Sequence, residues 1–305
     1  MSKLHTIVAW LRLTGIVARN EVESMTGFTA ARKASPGVVL IVVTAMTLSF
    51  AADTMMVSPV CDIQAPAVSG PAPVRHSGKL IVLPGSANTK YHLASFVRLA
   101  AQQLPGFEID FRPWGTPFLA LHNLQAHERN AETARRMSRE IVRWRRDHPE
   151  ELLYIFGYSG GGGMATLIVS ELPEDVTVDR VVLLAPAISP DYPMKEHVLP
   201  RVTEFVANYA STVDVQVGWG TRMFGTIDGV ESDSAGVVGF SAVHPDILQW
   251  HWSESDRVYG HRGNHRAYLG PRWQSAFLLP VLDPRFSADD VRALWAAACE
   301  MPAGQ

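Results

Sequence analysis

From residue 79 onward, short unbroken apolar runs alternate with longer stretches whose apolar residues recur every three or four positions. "KLIVLPG" (79–85) ends in turn residues, as a strand buried on both faces should, and "FEIDF" (107–111), "LLYIFG" (152–157) and "RVVLLAPA" (180–187) are further candidate strands. "YHLASFVRLAAQQLPG" (91–106) has helical spacing and a Pro-Gly stop, and "MATLIVSEL" (164–172) is a second helical stretch. Residues 127–147 predict a long amphipathic helix with a buried stripe of Ala131, Ala134, Met137, Ile141, Val142 and Trp144. Beyond Ala187 the pattern predicts a helix near Val198–Ala210, strands near Val213–Trp219 and Ile247–Trp252, and a last helix over Ala288–Ala298. This β-α-β order predicts an α/β fold: a mostly parallel, doubly wound sheet with helices on both faces and right-handed crossovers.

The region before residue 78 follows a different pattern. Arg32 and Lys33 precede an uncharged stretch from Ala34 to Ala52, whose core reads "VVLIVVTAMTLSFAA" (38–52). Its apolar part is shorter than the roughly 20 residues a spanning helix needs, and Ser49, Ala51 and Ala52 offer a cleavage site. An export signal is expected, giving a periplasmic or secreted product, with a membrane anchor as the alternative. Met25 is a natural start for such a signal. The expected organisation is an N-terminal extension with signal or anchor (1–52), a Pro/Ala/Ser-rich linker (53–77) and a catalytic domain (78–305).

Composition narrows the function classes. A formal charge of −3 with 19% charged residues provides no strong field for nucleic acid, so none is expected as a partner. The arginines of 127–147 interleave with Glu128, Glu132 and Glu140, and so read as a solvated, ion-paired face before they read as a phosphate site. Cys61 and Cys299 have no metal-ligand spacing; they pair if the chain is exported, or stay as isolated thiols.

The concentrated chemistry lies in "YIFGYSGGGG" (154–163). Ser159 falls between the end of a predicted strand and the start of a predicted helix, the place where open parallel sheets bind ligands. A turn sharp enough to lift a serine above the sheet strains its backbone and crowds its neighbours. Gly157 and Gly161 remove the Cβ atoms that would clash. The Gly160 N–H, at the helix start, is then available to a developing oxyanion. The segment lacks the lysine of a phosphate-binding P-loop and the G-x-G-x-x-G spacing of dinucleotide sites. Serine is a weak nucleophile alone, so it needs a base and the base needs an orienting acid.

With G-x-S-x-G in a strand-turn-helix setting, followed by "FGTIDGV" (224–230) and "YGHRGNHRAYL" (259–269), the chain resembles the α/β-hydrolase superfamily over residues 78–298. In that family the acid follows the strand after next and the histidine follows the last strand. The resemblance nominates Ser159 as nucleophile, Asp228 as acid and His265 as base, with His261 as the alternative base and Asp214, Asp233 or Asp256 as alternative acids. His261 and His265 could instead be metal ligands, but a glycine lies between them and no third ligand is evident. The resemblance implies a second oxyanion donor in the loop after "KLIVLPG", from Ser86 or Ala87, alongside Gly160. That loop reads "LPGSANTK", not the HGGG of many lipases.

These residues imply a serine hydrolase acting on a small-molecule ester or related acyl bond through an acyl-enzyme, with no cofactor or metal. Residues 187–211, with Tyr192, Met194, Phe205 and Tyr209, are a candidate cap, and Trp114 and Phe118 are candidates for an acyl pocket. The rival reading is a catalytically silent, hydrolase-like binding protein, exported or tethered to a membrane.

Overall fold

The computed structural model describes residues 76–300. The expected signal or anchor, most of the linker, and Cys61 lie outside the described residues. Six apolar runs pair side by side in parallel: β1 (Gly78–Leu83), β2 (Phe107–Phe111), β3 (Leu152–Tyr158), β4 (Val178–Leu184), β5 (Val202–Ala210) and β6 (Ile247–His251), in the order β2-β1-β3-β4-β5-β6. This is the parallel, doubly wound sheet that the alternating pattern predicts.

Successive side chains of each strand point to opposite faces, and both faces are covered. One receives Leu80, Val82, Tyr154, Phe156, Val182, Leu184, Phe205 and Tyr209, packed under α1 (Ala94–Gln103) and the C-terminal segment. The Phe96 ring of α1 stacks on Phe156 with centroids 4.0 Å apart. Each such buried side chain stabilises the fold by about 1.5–3 kcal/mol relative to exposure. The other face receives Ile81, Leu83, Leu153, Ile155, Val181, Leu183 and Val206, under α2 (His127–Asp147) and α3 (Gly160–Ser170). Because central strands are buried on both sides, they lose polar-apolar alternation and appear as continuous apolar runs.

The outer face of α2 is ion-paired, as its composition suggests: Arg136 meets Glu140 one turn on at 3.3 Å, Arg135 meets Glu171 at 3.9 Å, and Arg145 meets Asp179 at 2.8 Å. Arg180 of β4, 1% exposed, pairs with Glu204 and donates to the carbonyls of Val281, Asp283 and Phe286 at 2.7–2.8 Å. A buried guanidinium needs this many partners, and they fasten the C-terminal segment to the sheet.

Two elements are interchanged relative to expectation. Residues 202–210 form β5 where the spacing predicts a helix, and residues 215–224 form α4 (Val215–Phe224) where it predicts a strand. In "VTEFVANYA" the apolar positions 202, 205, 206 and 209 mimic a helical stripe, but β-branched and aromatic side chains suit a pleated surface. Insertion between β4 and β6 buries every residue from Phe205 to Ala210. "VDVQVGW" alternates like a strand, yet Asp214 supplies its carbonyl to the Gly218 N–H, and the chain coils from there. The last helix, α5 (Ala288–Glu300), lies where its periodicity predicts.

The strand order decides where a site can form. From β1 the chain goes to one side for β2 and to the other for β3 and beyond, so the loops leaving β1 and β3 diverge. In open parallel sheets such a switch point, at the carboxyl ends of the strands, is where ligands bind.

Candidate active site

Ser159 stands at that switch point, between β3 and α3, with φ 56° and ψ −124°. A non-glycine residue at positive φ costs about 1–3 kcal/mol and persists only where its surroundings over-determine it. They do so here: the Ser159 N–H donates to the Leu184 carbonyl at 2.8 Å, and the Ser159 carbonyl accepts from Gly162 at 2.9 Å and Ala187 at 3.0 Å. A Cβ on Gly157 would come within 2.3 Å of the Gly161 carbonyl oxygen, and one on Gly161 within 2.3 Å of the carbonyl oxygens of Leu83 and Pro84. Glycine is therefore required at 157 by the tightness of the elbow itself and at 161 by its close packing on the end of β1.

The loop after β1 closes over the same point. The Ser86 backbone nitrogen lies 3.1 Å from where a Gly160 Cβ would be, and the Ser86 N–H has no hydrogen bond among the described residues. N–H groups in the first turn of a helix have no intrahelical acceptor, so the start of α3 adds another donor at this spot. Two buried asparagines hold the loop. Asn123 Nδ2 donates to the Ser86 carbonyl at 2.7 Å and to Thr116 at 2.6 Å, while its oxygen accepts from the Thr116 N–H at 2.9 Å. The Trp114 N–H donates to the Asn88 side-chain oxygen at 2.9 Å, and the Trp114 indole donates to the Pro84 carbonyl at 2.7 Å. Trp114 is thus a buried wall beside Gly160, whereas Phe118 is 59% exposed.

A histidine–carboxylate pair comes from the segments that follow β5 and β6. His265 Nδ1 lies 2.8 Å from Asp214 Oδ2, with both side chains almost fully buried. A carboxylate only accepts, so the Nδ1–H donates to Asp214. The imidazole stacks on the ring of Tyr158, the residue before Ser159, with centroids 4.7 Å apart and planes 22° from parallel. Ser86, Gly160, Tyr158 and His265 are in this way brought to one end of the sheet.

Asp228 is not the partner of His265. Its carboxylate accepts from the Ser189 N–H at 3.0 Å, the Ser189 hydroxyl at 2.5 Å and the Thr226 hydroxyl at 2.5 Å. There it ties the 225–230 turn to the loop after β4. The correction follows from the interchange of β5 and α4. With the strand at 202–210, the acid that follows it is Asp214; reading a strand at 213–219 shifts the expected acid to Asp228.

The remaining alternatives are also occupied elsewhere. Asp233 pairs with Arg222 at 2.5 Å. Asp256 closes a capping box with Ser253, and burial pushes its carboxyl up to about 6. His261 Nδ1 accepts from the Gly263 N–H at 3.0 Å, and its ring is enclosed by Tyr268 and Trp273, with centroids 4.2 and 5.0 Å away. Desolvation lowers it to about 3, so it stays neutral. Residues 202–210 are no part of a cap, because Phe205 and Tyr209 belong to β5 in the core, and Met194 and Tyr192 pack into the apolar cluster on the other face of the sheet.

Sequence reasoning did not single out Tyr158, Asn123 or His92. His92 lies on the loop leaving β1; burial, then the neighbouring charges of Arg266 and His265, hold it below its ordinary value. Nothing in their sequence context separates these residues from ordinary core and turn positions.

No protein-family model matches this sequence, and no curated protein matches it. Among solved structures, the chain is similar to Aspergillus fumigatus lipase B at 15% identity and a TM-score of 0.45, over 75% of this chain and 57% of that one. It is also similar to a dienelactone hydrolase-like promiscuous phosphotriesterase from metagenomic libraries, at 15% identity and a TM-score of 0.36, over 74% and 86% of the two chains.

Proposed function

We propose that this protein is a serine hydrolase that cleaves carboxylic esters, with Ser159, His265 and Asp214 as its triad. The observation that carries this reading is the buried His265–Asp214 contact, set against the residue that precedes a serine in strained elbow geometry. In the reaction, His265 Nε2 takes the Ser159 hydroxyl proton as the oxygen attacks the ester carbonyl carbon. The imidazolium that forms is held by Asp214. Negative charge on the carbonyl oxygen is met by the N–H groups of Gly160 and Ser86, each worth about 3–4 kcal/mol in the transition state. Collapse expels the alcohol, which takes the proton from His265. A water molecule, deprotonated by the same nitrogen, then attacks the acyl-serine and releases the acid.

A fluorophosphonate probe and a series of p-nitrophenyl esters test this. The parent is expected to label once and to hydrolyse the esters, and Ser159→Ala to lose the label and to lower turnover on the order of 10⁴-fold or more. Undiminished turnover in Ser159→Ala, or labelling at another serine, removes the reading.

A further inference from the structure

We propose that Tyr158 is a positioning residue that aligns the His265 imidazole with Asp214 and stabilises the positive charge the ring acquires during turnover. This rests on the triad reading above. One side chain holds His265 at both ends: the Tyr158 ring lies flat on the imidazole, and the Tyr158 hydroxyl donates to the His265 backbone carbonyl at 3.0 Å. Tyr158 is itself fixed as the last residue of β3, paired with Leu184 of β4. Gly85 also lies close to the ring: a Cβ there would sit 3.3 Å from the Tyr158 Cδ1. The strand pairing, the stack and the hydroxyl bond together fix the ring against His265.

The stacking has an electrostatic consequence. The face of an aromatic ring carries negative potential and attracts a cation within about 6 Å. In the proposed reaction His265 gains positive charge when it takes the Ser159 proton, so the attraction grows as the reaction proceeds. Only interactions stronger in the transition state than in the ground state raise kcat. The groups facing His265 are Asp214, Tyr158, and the more distant His92 and Arg266. The Arg266 guanidinium opposes a further positive charge, and burial disfavours a second one on His92; Asp214 and the Tyr158 ring offset the Arg266 charge.

The test compares Tyr158→Leu, Tyr158→Phe and the parent on p-nitrophenyl acetate, with active sites counted by fluorophosphonate titration. Tyr158→Leu is expected to lower kcat about 10-fold with KM nearly unchanged. It should also move the acidic limb of kcat/KM to lower pH, because a cation without that ring face is less favourable. Tyr158→Phe keeps the ring and should recover most of the loss. Should Tyr158→Leu fail to fold, fluorinated phenylalanines at 158 preserve shape while weakening the ring face, and kcat should fall stepwise with fluorine count. A Tyr158→Leu profile that superimposes on the parent's, equal impairment in Tyr158→Leu and Tyr158→Phe, or a flat fluorine series overturns the proposal. Retained turnover in Ser159→Ala, run in parallel, marks failure of the triad reading instead.

Discussion

The two halves of the candidate site are built in different ways. The elbow half, Ser159 with Gly160 and Ser86, depends on contacts so close that glycine is the only residue that fits, and its chemistry lies within a few residues of one turn. The acid–base half joins Asp214 and His265 across 51 residues of sequence, from loops after two different strands. In that half, the candidates look alike until they are folded. His261 and His265 share a loop and are both buried, but one has a carboxylate and the other has aromatic rings. Asp214 and Asp228 both precede or follow turns, but one faces an imidazole and the other two hydroxyls. Local geometry can be enforced by residue type alone; a long-range pair is defined by what the fold places opposite it.

The most severe challenge to this contrast is to exchange each carboxylate for an amide. Asp214→Asn is expected to lower kcat on the order of 10³–10⁴-fold, because the ring would lose both its orientation and the charge that balances imidazolium. Asp228→Asn should leave kcat within a few-fold and cost about 1–3 kcal/mol of stability, read from thermal or urea unfolding, because it disturbs only a tie between loops. Equal loss of turnover in the two variants would erase the distinction.

The second challenge concerns the paired histidines. Burial holds His261 at about 3 against an ordinary 6.5. Below about pH 6.5 the unfolded chain binds a proton there and the folded chain does not. The stability contributed by neutral His261 is therefore present above that pH and is lost as pH falls toward 3. Asp256 acts in the opposite sense: raised from 3.8 to about 6, it contributes stability below about pH 4 that is lost as pH rises through 6. Between pH 6 and 4 the two partly offset each other. His261→Phe removes only the first, so its unfolding free energy relative to the parent should rise steadily from pH 7 to 4.5, by up to about a few kcal/mol, read from urea unfolding at each pH. A constant difference across that range would mean His261 is not held neutral.

The smallest effect sharpens the elbow half. Asn123→Ala removes both grips on the Ser86 and Thr116 carbonyls and should lower kcat about 10-fold, alongside about 1–3 kcal/mol of stability, with KM for p-nitrophenyl esters little changed. A stability loss without any change in kcat would show that the Ser86 loop keeps its place unaided.

Much of this architecture could be read before folding. The apolar runs of β1, β3 and β4 and the amphipathic stripe of α2 have a period and length that suit few alternatives. The five glycines around Ser159 likewise implied a sharp strand-to-helix turn. β5 and α4 could not be read, because the apolar positions of β5 fall at helical spacing within a strand buried from Phe205 to Ala210, and "VDVQVGW" alternates by coincidence of composition. That single interchange moved the expected acid by one loop.

The sequence by itself determined the alternating α/β order, the strained serine turn and the set of aspartates and histidines from which an acid and a base could be drawn, because period, steric room and residue chemistry are local properties. The choice of Asp214 over Asp228, the partners that separate His265 from His261, and the ring of Tyr158 beneath the imidazole were decided only by tertiary structure. Burial and opposing charge give a titratable side chain its role, and both are set by residues distant in the chain.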